Sequence, residues 1–306
     1  MPAFTQGIIT AGPRPFGRSR RNEGIMGKQI ENQTFDEERA LYHLEDAEVI
    51  NCTFAGPADG ESALKEARNV TVDGCSFSLR YPLWHTHKFR LRGCSMDVLT
   101  RASLWYSTQG SLEDCRIDGI KCLRECEDIS MKHCTVNSPE FGWRSRRLRF
   151  TDCEMESEYF LFEARDVTID KMKMKGKYSF QYIENMQIDH SMLDTKDAFW
   201  HSRNVTVANS TIRGEYLGWY SEGLTLINCH IAGTQPLCYC TGLKLIGCTM
   251  EGTDLAFEYS EVDADVRGEI LSVKNPKSGR IAADKIGEII LEDSIMENQC
   301  EIHERT

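Results

Sequence analysis

The chain has no run of about 18 consecutive apolar residues, the length a membrane-crossing helix needs. Nor does it open on the charged-then-apolar pattern of a signal peptide, so the expectation is a soluble, cytoplasmic protein without a membrane partner. Basic charge is in deficit, with 36 Lys and Arg against 47 Asp and Glu and a net charge of −11. Non-specific binding to nucleic acid or anionic lipid needs clustered Lys and Arg, so neither is an expected partner. An acidic mimic of nucleic acid rests on net charge alone and is the weakest reading. A Ser-His-Asp spacing, a Gly-rich phosphate loop and a His-x-x-x-His pair are also missing, and nothing calls for a cofactor or a metal.

What is present is a repeat. Aligning on apolar-x-apolar-x-x-Cys-x-apolar gives VTVDGCSF, FRLRGCSM, ISMKHCTV, LRFTDCEM, VTVANSTI, LTLINCHI and LKLIGCTM among others. The Cys slot falls at 52, 75, 94, 115, 134, 153, 172, 191, 210, 229 and 248, so the gaps are 23, 19, 21 and then 19 seven times. A fixed period of this size with β-branched residues on alternate positions predicts an all-β fold, a right-handed parallel β-helix of about 12 coils. Residues 28–259 would form it, residues 260–306 its last coils and cap, and residues 1–27 a disordered basic segment. That opening carries Arg14, Arg18, Arg20 and Arg21 against one acid, Glu23. An organellar transit peptide is the lesser alternative there, and Met26 is an alternative start.

Eight of the thirteen cysteines share the repeat slot, where Met172, Ser191 and Ser210 replace them elsewhere. Stacked small side chains beside a bend predict a column of reduced cysteines in a reducing compartment. Cys122, Cys126, Cys238 and Cys240 make no zinc site, because six coils, roughly 29 Å at the strand spacing, separate the pairs.

Before each Cys slot stands Asn51, Gly74, Gly93, Asp114, His133, Asp152, Lys171, His190, Asn209, Asn228 or Gly247, residues suited to a left-handed bend. A second corner is predicted at Asn69, Lys88, Gly110, Asp128, Arg147, Asp166, Asn185, Asn204, Gly223 and Gly242. Thr86, Cys126, Ala164, Ser202, Ser221 and Cys240 then point inward. Strand alternation adds, two residues earlier, Trp84, Trp105, Arg124, Trp143, Phe162, Gln181, Trp200, Trp219, Cys238 and Phe257.

The phrases ESALKEARNV, RYPLWH, ASLWYS, IKCLREC and PEFGWRS resemble a bacterial family filed as domain of unknown function 3737, over about residues 28–255. The resemblance implies a pectate-lyase-like right-handed β-helix. It brings no activity and no catalytic residues.

Alternation leaves Glu66, His85, Tyr106, Glu125, Arg144, Glu163, Tyr182, His201, Tyr220, Tyr239 and Glu258 pointing outward. The same reasoning sets beside them an outward apolar stripe: Leu83, Leu104, Leu123, Gly142, Leu161, Phe180, Phe199, Gly218, Leu237 and Ala256. The stripe admits three readings: it is covered by the tail or by a second copy in a homo-oligomer, it lines a ligand groove, or the phase is reversed and the five tryptophans form the exposed face. Candidate contacts for a partner or carbohydrate ligand are His85, Tyr106, Arg124, Arg144, Tyr182, His201, Tyr220 and Tyr239.

Were the protein a carbohydrate-active enzyme, Glu125 and Glu163, about 9.6 Å apart by strand spacing, would be the acid/base pair, with Arg144 between them and His201 as a further base. The bland alternative is a surface ion-pair ladder. Arg124 breaks an apolar column and needs both an aromatic face and a hydrogen-bond partner. Turns such as NSPEF and KGKYS are uniformly short, which favours a binding or scaffold protein over a lyase with loop-built walls.

Overall fold

The computed structural model describes residues 27–56 and 60–305. The basic opening up to residue 26, including the alternative start, lies outside them. Every strand pairing is parallel, and no helix occurs among the described residues. The chain winds as a right-handed β-solenoid of about 14 turns with about 19 residues each. The repeat alone predicts about twelve, because the turns after residue 260 drop the Cys pattern and change length: Glu261 lies opposite Ser278, and Ser278 opposite Gln299.

One coil shows why the sequence winds this way. In Arg203–Ala208, Val205 and Val207 face the core and lie opposite Leu224 and Leu226 of the next coil. The chain bends at Asn209, and Thr211–Arg213 leaves on a new face with Ile212 inside. All eleven predicted members of that bend column, from Asn51 to Gly247, have φ between 47° and 62°. Holding a non-Gly residue there costs about 1–2 kcal/mol. The bend's N–H offsets part of that by donating to the next coil, as from Asn209 to the Ile227 carbonyl at 2.9 Å.

The second corner differs at one position. Gln109, with φ 56°, is the bend residue, and Gly110 faces inward opposite Phe89, whose ring fills the space a Cβ would need. Spacing favours Gln109, which lies 19 residues before Asp128; the preference of glycine for positive φ pointed one residue too far.

Cys52, Cys75, Cys94, Cys115, Cys134, Cys153, Cys229 and Cys248 are buried and free, as are Cys122, Cys126, Cys238 and Cys240. The repeat slot selects a small inward donor. The Cys229 thiol donates to the Ile227 carbonyl two residues before it at 3.4 Å, and Ser210 Oγ does the same for Ala208 at 2.6 Å. Beside it runs an apolar interior in which Phe141, Phe160, Phe180 and Phe199 pack coil upon coil at ring separations of 5.3, 5.5 and 4.8 Å, the middle pair edge to face. Each such fully buried side chain contributes about 1.5–3 kcal/mol.

Candidate functional site

The segment running from Phe199 to Ser202 decides what the protein presents to solvent, and alternation fails there. Phe199 and His201 both have positive φ, 62° and 53°, and the same pair of left-handed residues recurs as Leu161 with Glu163, Phe180 with Tyr182 and Leu237 with Tyr239. The segment is therefore a double bend rather than a strand. Residues i and i+3 point in, here Phe199 and Ser202, while i+1 and i+2, Trp200 and His201, point out together.

The predicted outward stripe is corrected accordingly. Leu83, Leu104, Leu123, Gly142, Leu161, Phe180, Phe199, Gly218, Leu237 and Ala256 all lie in the core. Self-association through them has no surface to act on. Trp84, Trp105, Arg124, Trp143, Phe162, Gln181, Trp200 and Trp219, predicted inside, are half-buried on the outer face instead. The tryptophans thus reach the surface as the reversed phase would have them, but the Tyr/His column does too, so neither phase of alternation holds; Cys238 and Phe257 are buried. An extra residue late in the chain also moves the outward column from Glu258 to Tyr259, which has φ 55°. Thr86, Cys126, Ala164, Ser202, Ser221 and Cys240 are buried as predicted, so the Ser202 hydroxyl points away from His201.

The tryptophan slot is a cap as well as a surface. The indole N–H of Trp143, Trp200 and Trp219 donates to the carbonyl of Tyr159, Tyr216 and Gln235 at 3.0, 2.6 and 2.8 Å. Gln181 Nε2 reaches the Asp197 carbonyl in the same way at 3.3 Å. Arg124 meets both of its predicted needs, stacking 4.9 Å from the Trp143 ring centre and donating to Glu140 at 2.8 Å. The indole N–H groups of Trp84 and Trp105 are buried without an acceptor.

Beside the tryptophans the Tyr/His column stacks on itself. Tyr182, His201, Tyr220 and Tyr239 lie ring upon ring at 4.9, 5.0 and 4.7 Å, and His85 lies on Tyr106 at 5.0 Å. Since neighbours cover the faces, the rings offer their edges and polar tips. For three coils the column is interrupted by Glu125, Arg144 and Glu163.

There the surface opens into a groove of about 740 Å³. One side is the column Tyr106, Glu125, Arg144, Glu163, Tyr182, His201 and Tyr220; the other is Glu127, Arg146, Arg165, Glu184, Arg203 and Glu222, with Cys126 and Ser145 between the two. Its walls are the coils themselves. Arg144 Nε donates to Glu163 at 2.7 Å, an interaction that raises the guanidinium pKa above its ordinary value. Arg144 feels Glu125 only through longer-range attraction. Across the second row, Arg146 bonds Glu127 at 2.8 Å, Arg165 lies 3.3 Å from Glu184, and Arg203 lies 3.4 Å from Glu222.

The structure thus brings Tyr106, Glu125, Arg144, Glu163, Tyr182, His201 and Tyr220 into one groove, and leaves His85, Arg124 and Tyr239 outside its lining. Sequence reasoning missed the second row. Its signal was present: Glu127, Arg146, Arg165, Glu184, Arg203 and Glu222 recur every 19 residues, each just before a predicted corner. Among the described residues one cluster has metal-ligand types in reach of each other, Glu113, Asp114 and His133, on a different corner. It is largely exposed, and His133 spans Asp114 and Asp152 at 3.5 and 3.6 Å.

No curated protein matches the chain. Among solved structures it is similar to the A-module of mannuronan C-5 epimerase AlgE6 from Azotobacter vinelandii, at 12% identity over 91% of this chain and 90% of that one, TM-score 0.47. It is also similar to the tailspike protein of E. coli bacteriophage HK620 in complex with pentasaccharide, at 9% identity over 90% and 72%, TM-score 0.48. A family model described as a protein of unknown function, DUF3737, matches residues 28–303, beyond the span of the phrases that resembled it. The chain therefore belongs to the DUF3737 family.

Proposed function

We propose that the protein binds a carbohydrate chain lying along the helix axis in the groove between the Tyr106-to-Tyr220 column and the Glu127-to-Glu222 row. The observation that carries this reading is the groove's regular lining. From the coil of Glu125 to that of Tyr220, each adds a carboxylate, guanidinium, phenol or imidazole to both sides at the strand spacing of about 4.8 Å. A linear glycan likewise presents hydroxyl groups at regular intervals, each able to donate and to accept. Tyrosine edges are amphipathic and suit a ligand with apolar C–H and polar O–H surfaces. The buried free thiols support a reducing, cytoplasmic setting as part of the same proposal.

A glycan array followed by titration calorimetry tests it. Wild-type protein is expected to retain linear glycans, and Tyr182→Ala to weaken binding about tenfold, or about 1.4 kcal/mol, at an unchanged melting temperature. A silent array sinks the proposal.

One observation favours a second reading, turnover of the bound chain. Glu125 is the only carboxylate of the groove with no cation within 4.0 Å among the described residues, which leaves it available as a base. Incubating a bound glycan with wild type and Glu125→Gln separates the two: release of new chain ends by the wild type alone establishes catalysis, and no release by either establishes binding only.

A further inference from the structure

We infer that the groove selects uncharged glycans and rejects acidic ones, an inference that rests on the carbohydrate reading above and specifies its ligand class. The lining carries five carboxylates, at 125, 127, 163, 184 and 222, against four guanidiniums, at 144, 146, 165 and 203. A site for a polyuronate or a sulfated chain needs unspent positive charge at each bound residue. Here every guanidinium already has a carboxylate within reach: Arg144 has Glu163 at 2.7 Å, Arg146 has Glu127 at 2.8 Å, Arg165 has Glu184 at 3.3 Å and Arg203 has Glu222 at 3.4 Å. An anionic ligand would have to break those pairs or sit beside their carboxylates, and Glu125 adds one further negative charge. The molecule's net charge of −11 repels a polyanion before contact.

The same pairing suits a neutral polyol. A guanidinium has five N–H donors and a carboxylate accepts at four lone-pair positions, so a pair that has spent one or two of each keeps the rest. The mixed signs of the second row, Glu127, Arg146, Arg165, Glu184, Arg203 and Glu222 in coil order, therefore amount to interspersed donors and acceptors, held in place by each other. Hydroxyl groups match both. Tyr106 and Tyr182, four coils apart or about 19 Å at the strand spacing, bound the charged stretch.

The test is calorimetry with two sets of linear oligosaccharides, neutral (glucose-, xylose- and mannose-based) and acidic (galacturonate- and mannuronate-based), each at 50 and 500 mM salt. At least one neutral class is expected to bind at least tenfold more tightly than any acidic one, with less than a twofold change between the two salts, since direct hydrogen bonds to an uncharged ligand are poorly screened. Glu163→Gln, which releases Arg144, is expected to raise affinity for the acidic set at least threefold while the melting temperature confirms folding. Acidic chains binding as well as neutral ones, or binding that collapses in high salt, overturns the inference while the groove remains a glycan site. An unchanged acidic affinity in the variant overturns the role given to ion pairing. If neither set binds, the carbohydrate reading falls and takes the selectivity with it.

Discussion

The cysteines show how far a single position can be read. Their period and their replacement by Ser191 and Ser210 are sufficient to place them inside, because a small side chain is wanted beside a tight bend whatever its chemistry. Burial pushes the thiols of Cys75, Cys122 and Cys240 up, Cys75 and Cys240 to about 11 and Cys122 to about 12 from an ordinary 9.0, whereas the hydrogen bond with Cys229 holds Cys248 below it. A raised thiol value means the native chain keeps protons that the unfolded chain loses above pH 9. That contribution to stability is complete below pH 9 and is lost as pH climbs through 11 to 12. Urea midpoints are thus expected to fall between pH 8 and pH 10.5; equal midpoints would count against buried thiols. Gly110 shows the opposite case, a residue whose intrinsic preference misleads. Its missing Cβ is used to admit the Phe89 ring, a need visible only once the neighbouring coil is in place.

At the scale of the element, legibility depended on whether a segment is a strand. Arg203–Ala208 and its equivalents obey alternation, and their inward residues follow from sequence. The stretch from Phe199 to Ser202 does not, because two left-handed residues separated by one turn four residues into an in-out-out-in unit. The choice between the two phases was open in sequence because both columns are apolar, leucine and phenylalanine in one and tryptophan in the other. Packing separates them: the leucine column fills the interior, while an indole keeps one edge on the surface and spends its N–H on a carbonyl of the next coil. Trp200→Phe removes the bond to the Tyr216 carbonyl and is expected to cost about 1 kcal/mol or more. Trp84→Phe removes a buried N–H that has no acceptor and is expected to cost less. Thermal melts of the two variants check the ordering, and a larger loss at Trp84 would refute the capping role.

For the whole molecule, a solenoid turns a sequence column into a continuous stripe, so a surface 19 residues apart in sequence is contiguous in space. Half of the groove was legible for that reason: Tyr106, Glu125, Arg144, Glu163, Tyr182, His201 and Tyr220 form one column once the period is known. The other half, from Glu127 to Glu222, lies across a bend, and its distance from the first column is set by the bend's geometry rather than by the period. Short turns excluded loop-built walls, and the concave corner encloses about 740 Å³ without any loop. The central claim is that this corner is where a ligand lies. It is tested most directly by a crystal structure of the protein with whichever neutral oligosaccharide the array retains. The account predicts sugar density running along the axis between Tyr106 and Tyr220, hydrogen-bonded to both rows. Density on any other face, with the groove empty, would contradict it.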